Sequence, residues 1–137
     1  MATNTIKFRK ATAADLDAIS RLLTDDILGQ GREGGASDRP LYQRAFEEID
    51  RDPNQCLCVA DADGQVVGTL QLSFIPGLAR KAVKRGQIEA VRVASDRRSE
   101  GLGESLFQWA IEKCRDEGCG LVQLTTDKAR PDAHRFY

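Results

Sequence analysis

The segment RRSEGLGESL, residues 97–106, combines two arginines with two glycines in a G-x-G spacing. Glycine within a helix costs about 1 kcal/mol relative to alanine, so glycines at the head of an amphipathic pattern need a reason. The first turn of a helix has about four unpaired N–H groups and a partial positive charge, which together attract anions. Glycine lets the main chain approach such an anion, and arginine donates to phosphate oxygens. The segment therefore predicts a phosphate site, and on spacing alone the alternative is a plain loop with solvated arginines.

Two common phosphate motifs do not fit this segment. The chain has no G-x-x-x-x-G-K-[ST] sequence, which argues against a P-loop nucleotide triphosphatase. The G-x-G-x-x-G fingerprint of dinucleotide-binding folds is incomplete, because Leu106 stands where the third glycine is needed. A different phosphate-bearing ligand is therefore indicated.

Length and composition limit the class of protein. The 137 residues carry a net charge of −1 and are 41% hydrophobic, which predicts one globular domain and argues against nucleic acid as the main partner. No apolar run approaches the ~20 residues that span a bilayer, and the N-terminus lacks a signal-peptide core, so we expect a cytoplasmic protein without a membrane partner. The four cysteines form no C-x-x-C pair and His134 is the single histidine, which predicts free thiols and no metal site.

Hydrophobic periodicity predicts the elements that must position these residues. Strands are expected at residues 5–11, 55–60, 65–74, 87–93 and 121–125, and the last is nearly all apolar, which predicts burial. Helices are expected to begin after a capping box at Thr12, after Asp38 and from Gly103. The third runs to about Glu117, before Gly118 ends it in the left-handed conformation. DADG, residues 61–64, predicts a hairpin turn, and Pro131 predicts the start of a fourth helix.

Two motifs resemble those of one enzyme family. VRVASDRRSEGLGESLFQWAIEKC is similar to the acyl-CoA-binding motif of the GNAT acetyltransferase superfamily, V-x-x-x-x-[QR]-x-x-G-x-[GA]. The matching residues are Val93, Arg98, Gly101 and Gly103. In AHRFY, the residues that match the family's A-x-x-F-Y are Ala133, Phe136 and Tyr137. The resemblance covers nearly the whole chain and identifies the predicted anion as the pyrophosphate of coenzyme A.

The resemblance implies a fold. This is an α/β (α+β) arrangement in which a mixed, mostly antiparallel sheet carries helices on both faces and is splayed between strands 4 and 5. We expect residues 1–137 to form a single GNAT domain. The family continues past A-x-x-F-Y into two more strands, so we expect the sequence to be C-terminally truncated. The alternatives are a naturally short protein and a partner that supplies the strands, which would favour a homodimer.

The resemblance also implies acetyl transfer from acetyl-CoA to a primary amine by direct attack on the thioester, with no metal. Glu89, which lies in an IE pair on the fourth strand, is the candidate base. A solvated carboxylate or an ion-pair partner of Arg92 is the alternative role for Glu89. Tyr137 is the candidate acid for the departing thiolate, and an aromatic core residue is its alternative role. We expect His134 to be an exposed helix residue.

The coenzyme site is expected to follow the fourth strand and the loop after it. Backbone groups of Val91 and Val93 are expected to bind the pantetheine arm. Amides in the loop and at the helix start are expected to bind the phosphates, and these belong to Arg98, Ser99, Glu100, Gly101, Leu102, Gly103 and Glu104. Arg130 departs from the family, in which asparagine is common near that position.

The acceptor amine, either small or part of a peptide, is not named by the sequence. The family builds its site from the first two helices, the later strands and a loop that here is LGQGREGGASDRP, residues 28–40, in which Glu33 and Asp38 could attract a cationic amine. Two other classes of function stay open. One is a CoA-binding sensor or assembly module without turnover. The other is a basic-patch binder, whose residues are Arg80, Lys81, Lys84 and Arg85.

Overall fold

In the computed structural model of this chain, residues 5–25, 38–97 and 101–124 are described. They form a five-stranded sheet in which the spatial order equals the chain order. The strands are β1 (Ile6–Lys10), β2 (Gln55–Ala62), β3 (Gln65–Ile75), β4 (Arg85–Val93) and β5 (Leu121–Leu124). The first four strands pair antiparallel and β5 lies parallel to β4. The predicted mixed, mostly antiparallel sheet is confirmed.

Helices lie on both faces of this sheet, as expected. They are α1 (Leu16–Asp25), α2 (Arg39–Asp50) and α3 (Leu102–Asp116). One face of the sheet packs against α3, and the buried residues at its centre are Cys58, Leu70, Leu72, Ile88, Leu106, Ala110 and Cys114. The other face packs against α1 and α2 in a smaller cluster, whose buried residues are Ala11, Leu16, Ile19, Phe46 and Val59. In the described part of the chain, no helix is both long enough and apolar enough to cross a membrane.

Local sequence signals account for most of the element ends. The capping box forms, and the Thr12 N–H donates to Asp15 Oδ2 at 2.7 Å. The turn between β2 and β3 places both Asp63 and Gly64 at positive φ, as a tight hairpin requires. Gly118 has the predicted left-handed conformation, with a φ of 84°. Asp38 stands at the N-cap of α2 but its side chain makes no capping hydrogen bond.

Two expectations about the sheet are wrong or incomplete. The last strand is half-buried rather than buried, because α3 packs mainly against β3 and β4. The connection between β3 and β4 contains a short turn, Ala79–Ala82, in which Arg80, Lys81 and Ala82 all have left-handed φ. Nothing in the sequence predicts that turn, since none of the three is glycine. The expected fourth helix and residue 125 lie outside the described residues.

All four described residues of β5 pair with the first half of β4. Residues 85–88 of β4 lie beside residues 121–124 of β5, whereas β4 itself continues to Val93. Within the described residues, no strand lies beside the second half of β4 on that side. The sheet is therefore not closed, and the splay between strands 4 and 5 that the family resemblance implies stays a prediction.

Candidate functional site

A β-bulge interrupts the pairing of β4 with β3 just after the residues of β4 that pair with the described part of β5. Thr69 pairs with Arg92 and Gln71 pairs with Glu89, so Ala90 and Val91 together face one residue of β3. Ala90 has a φ of 56°, in the left-handed region that alanine rarely adopts. Such strained positions persist where the surrounding structure holds them, and they concentrate at functional sites.

The bulge determines which backbone groups face the open side of β4. The Ala94 N–H donates to the Val67 carbonyl at 2.9 Å, so the main-chain groups of Ala94 are directed at β3. Because successive residues of a strand alternate, those of Val93 and Val91 are directed away from β3. They therefore lie along the unpaired edge and can pair with an extended ligand as a strand would.

The chain continues from β4 through a short 3₁₀ turn, Ser95–Arg97, toward the start of α3. Gly101 is the N-cap residue of α3 and has a φ of 77°, while the buried side chain of Leu102 anchors the first turn in the core. Glu104 is exposed in that turn. An ideal Cβ at Gly103 would meet no described atom within 4 Å, so internal contacts do not explain this glycine. A helix start with this open space fits a pyrophosphate ligand.

Glu89 lies just before the bulge, on the face of the sheet opposite α3. It is half-buried, and its Oε1 accepts a hydrogen bond from Gln87 Nε2 at 3.1 Å. Among the described residues no cation forms an ion pair with Glu89. Arg92, the alternative partner, donates from Nη1 to the Val91 carbonyl at 3.0 Å. Glu89 is therefore a half-buried carboxylate that a neighbouring amide orients.

A cluster of uncharged polar side chains adjoins Glu89 on the neighbouring strands. Gln71 Nε2 donates to Gln55 Oε1 at 2.8 Å, and Gln55 Nε2 donates to Ser73 Oγ at 3.0 Å. Register places Gln71 beside Glu89 and Ser73 beside Gln87. Gln55 and Gln87 were not predicted to lie beside Glu89, although their alternation with apolar neighbours places them on this face.

Most of the predicted site residues lie in the described part of the chain. Glu89, Val91 and Val93 lie on β4, and Gly101, Leu102, Gly103 and Glu104 form the start of α3. The single strand brings Glu89 close to the predicted pantetheine edge. Arg98, Ser99, Glu100 and Tyr137 lie outside the described residues, as do Glu33, Arg130 and His134.

The cysteines occupy the core rather than the site. Cys58 and Cys114 are fully buried, and burial raises the pKa of each thiol to about 12. Cys56 is buried and Cys119 half-buried, and burial raises their pKa values as well. Within the described ranges, no three His, Cys, Asp or Glu side chains are grouped so that they could hold a metal ion.

Comparison with known proteins decides the family. The model of the acetyltransferase (GNAT) family matches residues 17–137, which include both motifs. The chain belongs to the GNAT family. This GNAT chain is therefore an acyltransferase of the N-acetyltransferase type.

Individual relatives of this GNAT chain are similar over nearly its whole length. It is 30% identical to an aminoalkylphosphonate N-acetyltransferase of Salmonella typhimurium over 96% of this chain and 80% of that protein. A solved structure described as a transcriptional regulator from Bacillus halodurans is 46% identical with a TM-score of 0.92, over 97% of this chain and 89% of that one. Glucosamine-6-phosphate N-acetyltransferase of Arabidopsis thaliana is 25% identical with a TM-score of 0.72, over 96% and 88%.

Proposed function

We propose that this protein transfers an acetyl group from acetyl-CoA to the primary amine of a small acceptor. The observation that carries the proposal is the bulge at Ala90, which follows the described pairing of β4 with β5 and precedes the glycine-bearing start of α3. This geometry supports a ligand with an extended arm and an anionic end, as acetyl-CoA has. Bound acetyl-CoA supplies an activated acetyl group, whose C–S bond breaks as the acceptor nitrogen forms the amide bond.

The main chain of β4 and α3 supports the binding role. Backbone groups of Val91 and Val93 hold the pantetheine arm, and the first-turn amides of α3 hold the pyrophosphate. A backbone N–H beside the bulge supplies the donor that the developing negative charge on the acetyl oxygen needs. The sequence motif alone assigns three further residues to the same proposed pyrophosphate site, namely Arg98, Ser99 and Glu100.

Glu89 is the proposed base. An alkyl ammonium titrates near ~10.4 and cannot attack while protonated, so the acceptor must lose a proton. The Glu89 carboxylate, oriented by Gln87, accepts that proton directly or through one water. Tyr137 is the proposed acid that protonates the departing thiolate, and this role is carried by its match to the family motif.

The relatives indicate where a search for the acceptor should begin. Two enzymes with similar chains have names that specify an amine bearing a phosphonate or phosphate group. Aminoalkylphosphonates and amino-sugar phosphates are therefore the first acceptors to test.

A CoA-binding module without turnover is the second candidate. It is supported by the description of the Bacillus halodurans structure as a transcriptional regulator, at 46% identity. This candidate predicts CoA binding without release of a thiol in the presence of any amine.

Thiol release from acetyl-CoA across an amine panel tests the proposal. We expect turnover with at least one acceptor, and in Glu89→Gln a fall of kcat by roughly 10²–10⁴-fold because a general base is lost. The affinity for CoA, measured by calorimetry, should change less than about twofold. Asp116→Asn, an exposed acidic residue near the end of α3, is the matched control. CoA binding with no thiol release from any amine would favour the module without turnover.

A further inference from the structure

Arg85, the first residue of β4, is a half-buried arginine that has no carboxylate partner among the described residues. Its Nε is buried and has no hydrogen-bond partner, and the described residues form no ion pair with its guanidinium. Register explains this isolation. Arg85 pairs with Ile75 on β3 and with Leu121 on β5, so aliphatic side chains flank it on both sides.

Three other arginines of the described residues form ion pairs with carboxylates. Arg9 binds Asp15 and Asp61, Arg39 binds Asp17, and Arg115 binds Glu112. A buried N–H group without a partner costs roughly 1–3 kcal/mol, and a buried unsatisfied group in a folded protein calls for an explanation. A ligand that accepts from Arg85 would supply the missing partner.

Arg85 lies on the same face of β4 as Glu89, the proposed base. A Cβ added at Gly86 would meet Cys114 on the α3 side of the sheet, so Arg85 and Gln87 are directed to the opposite face, where Gln87 contacts Glu89. Four residues of strand separate the Cα atoms of Arg85 and Glu89 by about 13 Å, and strand side chains lean along the strand. Gln87, between them, is engaged with Glu89. Arg85 is thus a cation without an ion-pair partner among the described residues, on the same face of the sheet as Glu89.

We infer that Arg85 anchors an anionic group of the acceptor, at the far end of the molecule from the amine that Glu89 deprotonates. This inference rests on the proposed function and specifies its substrate class. Arginine suits the role, because its planar fork donates two parallel hydrogen bonds to a phosphonate, phosphate or carboxylate. The flanking aliphatic residues reduce competition from water and strengthen the contact.

Matched acceptor pairs test the inference kinetically. We expect Arg85→Met to raise the KM of an ω-aminoalkylphosphonate roughly ten- to hundredfold, because a charged hydrogen-bonded contact is lost. The KM of an amino alcohol of the same chain length should change less than about twofold. Arg85→Lys should give an intermediate value, and Arg115→Gln is the matched remote control. An equal effect on both acceptors would overturn the inference.

Two measurements do not need turnover and so separate this inference from the proposed function. With saturating CoA present, methylphosphonate should raise the Tm of the wild-type protein. The Tm of Arg85→Met and of Arg85→Lys should rise less or not at all. Without ligand, Arg85→Met should be at least as stable as the wild type, because the unsatisfied donor is gone. A marked loss of stability in Arg85→Met, or a wild-type Tm insensitive to methylphosphonate, would make Arg85 a structural residue.

Discussion

At the scale of single residues, two glycines at the start of α3 lack side chains for different reasons. Gly101 has a φ of 77°, where any L-residue is strained, whereas Gly103 lies in ordinary helical conformation with no described atom within 4 Å of an added Cβ. The left-handed backbone conformation at the N-cap of α3 accounts for the first glycine. No described contact requires the second, which fits its proposed place in the pyrophosphate site.

Substitution of each glycine should separate these roles. We expect Gly103→Leu to leave the free energy of unfolding unchanged or to raise it by up to about 1 kcal/mol, since leucine favours helix over glycine. Its affinity for CoA should fall at least tenfold. Gly101→Ala should cost about 1 kcal/mol or more through its backbone conformation. Urea unfolding measures the free energy of unfolding, and calorimetry measures the affinity for CoA. A Gly103→Leu protein with wild-type CoA affinity would refute the proposed pyrophosphate site.

At the scale of elements, one ion network joins β1, β2 and the turn before α1. Arg9 contacts Asp15 through Nη1 at 2.8 Å and Nη2 at 3.0 Å, and its Nε contacts Asp61 at 3.1 Å. Asp15 is buried and also accepts from the Thr12 N–H. The Arg9 guanidinium, opposed in part by burial, holds the pKa of Asp15 below its ordinary value of 3.8.

This network predicts a specific acid sensitivity. The pKa of Asp15 is lower in the folded state than in the unfolded state. Ionised Asp15 therefore contributes its full share of the free energy of unfolding above its ordinary pKa, and this share is lost as the pH falls toward the folded-state pKa. Asp15→Asn should therefore cost about 1–3 kcal/mol at pH 7, and the difference from wild type should shrink below pH 4. Asp17→Asn, which breaks an exposed pair with Arg39, should cost less than about 1 kcal/mol. A difference between wild type and Asp15→Asn that stays constant from pH 7 to pH 3 would contradict the assignment.

At the scale of the whole molecule, the buried thiols report on global unfolding. The pKa values of Cys58 and Cys114 are about 12, against an ordinary value of 9.0. Because the pKa of each thiol is raised in the folded state, the protonated thiols contribute to the free energy of unfolding below their ordinary pKa. This contribution is lost as the pH rises from 9 toward 12. We expect the free energy of unfolding to fall as the pH rises above 9, and to fall less steeply in a Cys58→Ala, Cys114→Ala double variant. Equal slopes in the two proteins would show that other groups dominate the alkaline response.

Much of this fold follows from local sequence signals, and part of the site does not. Strand alternation, the capping box at Thr12 and the glycine at 118 predict elements within a few residues of their observed ends. The left-handed conformation of Ala90 has no such signal, because alanine disfavours it and only the sheet around it imposes it. The isolation of Arg85 also could not be predicted, since it depends on register with Ile75 and Leu121, which are distant along the chain.

The spatial order of the sheet has a consequence for synthesis on the ribosome. Each of the first four strands lies beside its neighbour in the chain, so this meander can assemble by successive local pairings as it emerges. Until α3 follows, however, the apolar side of β3 and β4, with Leu70, Leu72 and Ile88, has nothing to cover it. A stalled nascent chain that ends before residue 102 would therefore expose a hydrophobic sheet, and we expect chaperones to engage it at that stage.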